Sequence, residues 1–108
     1  MKRFNLPNMQ SGFKTICTYV LDGKPYTFQF TWCDTFFLMD IYVFNSGNNE
    51  YLLKGAPVVI NCDLLSRIIQ PNLIQGKLYM VNKFDEDYPP SPDTISTDFE
   101  LIYYSADE

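Results

Sequence analysis

The stretch Tyr26-Thr27-Phe28-Gln29-Phe30-Thr31-Trp32 alternates without a break. Tyr26, Phe28, Phe30 and Trp32 fall on one face, and Thr27, Gln29 and Thr31 on the other. Side chains along a strand point to opposite sides with period two, so this pattern predicts a half-buried strand with an aromatic inner face. Alternation with threonine and glutamine favours the core of a small β domain for the four aromatics, over a stacking surface for sugars or bases.

Upstream, Asp22-Gly23-Lys24 is a tight-turn signal, because glycine tolerates positive φ, and it joins the aromatic strand to a candidate strand Phe13 to Leu21. Downstream, Asp34-Thr35 turns the chain into Phe36 to Phe44. Phe37, Met39, Ile41 and Val43 share one face there, and Phe36, Leu38, Asp40, Tyr42 and Phe44 the other. With both faces largely apolar, this strand is expected to be central and covered twice, or to lie at an interface. Asn45 to Asn49 reads as a loop and Tyr51 to Lys54 as a brief strand. Gly55-Ala56-Pro57 interrupts it and Val58 to Ile60 resumes an extended path. Asp63 to Ile69 suits one or two helical turns, with Asn61 or Asp63 as N-cap, and suits a strand equally well; Pro71 ends it. Lys77 to Phe84 and Phe99 to Tyr104 are the last strands, separated by a long loop, Asp85 to Thr97, containing Pro89, Pro90 and Pro92. The expectation is an all-β or mainly β fold: a small antiparallel β-barrel or sandwich of six to seven strands, with room for one short helix near 63–69. Residues 1–12 read as an extended N-terminal arm, 13–106 as a single β domain and 107–108 as a tail.

A chain of 108 residues that is 46% hydrophobic and 17% aromatic can build one core. The longest apolar candidate, Phe36 to Phe44, is broken by Asp40 and falls far short of the roughly 20 residues of a membrane helix. Lys2 and Arg3 are not followed by an apolar stretch, so a secretory signal is not expected and a cytoplasmic protein is. Cys17, Cys33 and Cys62 are odd in number and include no Cys-x-x-Cys pair, which favours reduced, structural cysteines. Charge is unevenly placed. Residues 1–84 carry eight bases and five acids, a net +3, whereas residues 85–108 carry eight acids and no base, a net −8. Asp85, Glu86, Asp87 and Asp93 are therefore the candidate interface residues, with a solvated acidic loop as the plain alternative. Specific nucleic-acid binding is disfavoured, because phosphate contacts need clustered Lys and Arg.

The chain contains no histidine. This removes the commonest general base, the Ser–His and Cys–His nucleophile pairs and most zinc sites. The five glycines are isolated, so there is no phosphate cradle. Asp85-Glu86-Asp87 invites comparison with a calcium loop, but an EF-hand needs glycine at its sixth position and Pro90 stands there. The plain reading is a proline-stiffened surface loop. No catalytic residue, metal or cofactor is expected, and the chain is not expected to be an enzyme.

Several segments in order resemble a known family. After the Asp22-Gly23-Lys24 turn come Tyr26 to Trp32, Phe37-Leu38-Met39-Asp40-Ile41-Tyr42, and Leu53-Lys54-Gly55-Ala56-Pro57-Val58-Val59. Asp63-Leu64-Leu65 follows, and an acidic proline loop containing Asp93 precedes Leu101-Ile102-Tyr103. This order, over roughly residues 13–104, resembles the baseplate plug family of contractile-tailed bacteriophages. Gly55 and Pro57 followed by Asp63, Leu64 and Leu65 form its most specific part. The resemblance implies a structural, non-enzymatic virion component in the tail baseplate, on the axis at the junction of tail tube, hub and spike. It also implies assembly in the host cytoplasm as a symmetric homo-oligomer, with tube, hub, spike, LysM-type or wedge proteins as partners and no membrane contact. Physically, Gly55 and Pro57 would let a strand leave its sheet, since proline cannot donate to a ladder, and Asp63 would cap or turn the chain entering Leu64. The acidic segment would then meet a basic surface of a neighbour or line the axial channel and repel DNA.

The rival reading is a free-standing β-barrel ligand-binding domain for carbohydrate or a small apolar molecule. A third is an accessory domain of a small hydrolase. The exposure of Trp32 discriminates the carbohydrate reading, since a sugar platform must be accessible.

Overall fold

The computed structural model describes residues 1–9, 14–66 and 74–107. Among these residues seven strands form two antiparallel sheets. The strands are β1 (Lys2–Asn5), β2 (Lys14–Leu21), β3 (Lys24–Trp32), β4 (Phe37–Asn45), β5 (Asn48–Pro57), β6 (Lys77–Asn82) and β7 (Phe99–Tyr104), with one short helix, α1 (Ile95–Asp98). One sheet has the order β2-β3-β4-β5 and the other β1-β7-β6. The two sheets share one core, and the described residues show no closed barrel.

The four-stranded sheet is a meander whose turns follow local chemistry. Asp22 and Gly23 both have positive φ (53° and 81°), as do Ser46 and Gly47 (53° and 84°). Two consecutive positive-φ residues match the right-handed twist of the flanking strands, so each two-residue turn closes a hairpin: Leu21 pairs Lys24, and Asn45 pairs Asn48. The expected loop at 45–49 is thus mostly ladder. The inner faces of β3 and β4 interlock, with Phe28 opposite Ile41 and Phe30 opposite Met39, all four fully buried.

Several sequence expectations need correction. Phe28 and Phe30 are 0% exposed and Tyr26 is also buried, but Trp32, at the end of β3, is only half-buried and leans on Phe37 at 4.8 Å. Part of the expected arm is an edge strand: Lys2–Asn5 pairs β7, and Phe4 reaches across to Tyr19 with ring centroids 4.9 Å apart. Gly55-Ala56-Pro57 does not interrupt β5, which runs continuously to Pro57 by means of bulges. The short helix lies at Ile95–Asp98, within the long loop, where buried Ile95 fastens it to the core. Residues 64–66 form a turn. The remainder of the 63–69 segment, Pro71 and the start of the first strand at Phe13 lie outside the described residues.

The outward row of β4 (Leu38, Asp40, Tyr42, Phe44) is not covered as the inward row is. Leu38 and Tyr42 are half-buried, and Phe44 is 73% exposed. Of the two expectations for this strand, it is central in its sheet but buried on one face only. Among the described residues no helix is long and apolar enough to cross a membrane.

Candidate functional site

Three features stand out from the residues upward: a polar clasp along the path that takes the chain from one sheet to the other, an acidic loop, and a concave sheet face. The clasp begins at Asp40. Its Oδ1 accepts from Gly55 N at 2.6 Å and its Oδ2 from Gln29 Nε2 at 3.1 Å. Met39 pairs Ala56 while Ile41 pairs Leu53, so β5 carries an extra residue opposite Asp40, and Gly55 takes φ +64° there. A carboxylate facing the bulge supplies the acceptor that the widened ladder lacks. A second register shift follows, with Ile41 opposite Leu53 and Tyr42 opposite Tyr51. It turns both Leu52 and Leu53 into the core, which strict alternation would forbid.

Beyond Pro57 the chain changes sheets. Val58 N still donates to Phe37 O at 2.9 Å, whereas Ile60 bridges Met80 in parallel and Asn61 N donates to Met80 O at 3.0 Å. Asp63 completes the crossing. Its Oδ1 accepts from Leu65 N at 3.0 Å and from Leu78 N at 3.1 Å, and Leu64 N donates to Leu78 O at 2.7 Å. The turn is thereby pinned to the edge of β6, with Leu64 and Leu65 buried beneath it. Gly55, Pro57, Asp63, Leu64 and Leu65 thus act along one path that carries the chain from one sheet to the other.

Two tyrosines tie the layers further. Tyr103 Oη donates to Asp22 Oδ2 at 2.6 Å, and Tyr19 Oη donates to Asn5 O at 2.8 Å. Burial, and then the hydrogen bond to Asp22, push the Tyr103 phenol well above its ordinary pKa. Tyr19 is shifted the same way, chiefly by burial. Gly76 sits against Tyr103: a Cβ there would collide with the Tyr103 phenol and the Tyr104 carbonyl oxygen. Gly76 is one of five isolated glycines in the sequence, and neither its close approach nor the contacts of Asp40 and Tyr103 are expected from the sequence. A lone carboxylate inside an apolar strand was the one available signal, for Asp40.

The acidic loop leaves the end of β6. Phe84 N donates to Asn82 Oδ1 at 2.7 Å and Asp85 N to Asn82 O at 3.2 Å, a turn that leaves Phe84 64% exposed. Asp85, Glu86, Asp87 and Asp93 are all exposed. Tyr88 donates to Asp98 Oδ2 at 2.6 Å, which holds its phenol above the ordinary pKa, and its ring meets Phe99 edge-on at 5.7 Å. The prolines and this anchor present the carboxylates to solvent.

The concave face is the outer side of β6 and β7. Tyr79, Val81, Ile102 and Tyr104 line an open cavity of about 600 Å³, with Asn61 and Lys77 at its rim. Tyr79 and Tyr104 meet edge-to-face at 6.0 Å. Among the described residues no group of three or more His, Cys, Asp or Glu side chains could hold a metal ion. Cys17 and Cys33 are half-buried free thiols and Cys62 is an exposed one.

The sequence profile of the family described as "Cyanophage baseplate Pam3 plug gp18" matches residues 1–106. The chain belongs to this family. Comparison with curated proteins and with solved structures returns no match. The profile spans all seven strands of this baseplate plug family member, from edge strand β1 to β7. It therefore covers the polar clasp, the acidic loop and the concave face together.

Proposed function

We propose that this chain is a structural, non-enzymatic plug in a phage tail baseplate. It sits on the tail axis where tube, hub and spike meet, in several symmetric copies held by contacts with each other and with neighbouring tail proteins. The observation that carries the reading is the family match over residues 1–106. Support comes from the absence of histidine, which deprives the chain of the commonest acid–base catalyst. It comes also from the apolar surface left outward: Phe44 is 73% exposed, and Leu38 and the Tyr42–Tyr51 pair lie on the same face. Exposed apolar rows of this kind mark sites of protein–protein contact.

The test is to purify particles of the phage that encodes the chain and localise it by mass spectrometry and by cryo-electron microscopy of the baseplate. The expected result is density on the tail axis, in a copy number matching the baseplate symmetry. Absence from tails, or density elsewhere on the particle, would overturn the assignment.

A further inference from the structure

We propose that the concave outer face of β6 and β7 is the socket for the acidic loop of a second copy of this chain. In this arrangement Phe84 of one protomer inserts between Tyr79, Val81, Ile102 and Tyr104 of the next, and its acids meet Lys77. The inference deepens the multi-copy reading above and rests on it only for there being more than one copy.

The socket is apolar in its floor and polar at its rim, where Asn61, Gln75 and Ser105 stand with Lys77. Among the described residues that line it, Lys77 is the one ionisable cation and none is a carboxylate. Arg3, on the same face, is already paired with Glu100. The ridge that fits such a site must be apolar at its tip and acidic at its flank. Phe44 is the more exposed aromatic, but no run of acids adjoins it: Asn45 to Asn49 separate it from the single Glu50. Phe84 is 64% exposed and is followed directly by Asp85, Glu86 and Asp87. The Asn82 side chain fixes the turn in which Phe84 stands out, so little freedom is lost when it docks. An aromatic anchor in an apolar pocket, ringed by opposite charge, is the form that interface hot spots take.

Ridge and socket are different surfaces of one molecule, joined through β6. A contact between them is therefore head-to-tail and closes into a ring where the rotation between copies allows. This predicts a complementation that no self-complementary patch would give. Phe84→Ser removes the ridge and Lys77→Glu opposes the acids at the socket, while both side chains are exposed, so the fold is spared. By sedimentation velocity the purified wild-type chain should exceed its 12.6 kDa monomer mass in a concentration-dependent manner. The association should weaken as salt rises. Each variant alone should lose at least tenfold in association, and the two mixed should recover a heterodimer, since one keeps its socket and the other its ridge. Phe44→Ser should associate like wild type. A wild-type chain that stays monomeric at all concentrations and salts overturns the proposal while leaving the baseplate location to its own test. So does an association untouched by both variants, or one abolished by Phe44→Ser.

Discussion

Replacing Asp63 with alanine removes the single acceptor that holds two backbone amides from different parts of the chain, Leu65 N at 3.0 Å and Leu78 N at 3.1 Å. A hydrogen bond to a charged group contributes about 1.5–3 kcal/mol net when buried, and a donor left unsatisfied costs about as much. Asp63 is half-buried, so water can reach part of the site and the lower end of that range applies. The loss should total about 2–3 kcal/mol. With about 2.1 cal/mol/K of unfolding entropy per residue, a chain of 108 residues loses roughly 4 °C in Tm per kcal/mol, so Tm should fall by about 10 °C. Asp63→Asn keeps a carbonyl oxygen in the same place, without the charge, and should recover more than half of that loss. Thermal melts of the three proteins test the magnitude, and amide hydrogen exchange tests the mechanism. Leu65 and Leu78 should lose protection in the alanine variant while the amides of β3 keep theirs. A Tm within about 2 °C of wild type for Asp63→Ala would refute the claim that this carboxylate pins the crossover turn to β6.

Phe30→Ala, at a fully buried position facing Met39, should cost about 3–5 kcal/mol in urea denaturation, whereas Trp32→Ala, at the core margin, should cost less; equal losses would contradict their different burial. Gly76→Ala should destabilise by more than the roughly 1 kcal/mol of a simple glycine effect, because the new methyl meets the Tyr104 backbone as well as the Tyr103 ring; a chemical melt matching wild type would show that the approach is not close. Tyr103 has a folded pKa raised above its unfolded value near 10, so its contribution is complete below pH 10 and is lost as pH climbs beyond. Urea midpoints should therefore fall above about pH 10, and Tyr103→Phe should flatten that fall while costing about 1–2 kcal/mol at neutral pH. An identical alkaline profile in the variant would remove Tyr103 from the account.

Local chemistry was readable wherever one physical rule acted alone. The period of Tyr26 to Trp32 defined a strand and its inner face, because side-chain direction in a strand needs no knowledge of the rest of the chain. Asp22-Gly23 announced a hairpin for the same reason, since positive φ is a property of two residues. The ordered segments from Tyr26 to Tyr103 pointed to the baseplate plug family, which the profile match over residues 1–106 shows. What depended on a distant partner was not readable. Lys2–Asn5 is too short and polar to declare itself a strand, and becomes one because β7 offers it an edge. Leu52 and Leu53 both reach the core because a bulge opposite Asp40 and a second register shift rotate β5, and a bulge is a relation between two strands. Gly76 resembles any turn glycine until Tyr103 is laid against it. The socket of Tyr79, Val81, Ile102 and Tyr104 follows the same logic. Each residue is an ordinary outward position on its own strand, and only the pairing of β6 with β7 sets them side by side as a surface with Lys77 at its rim.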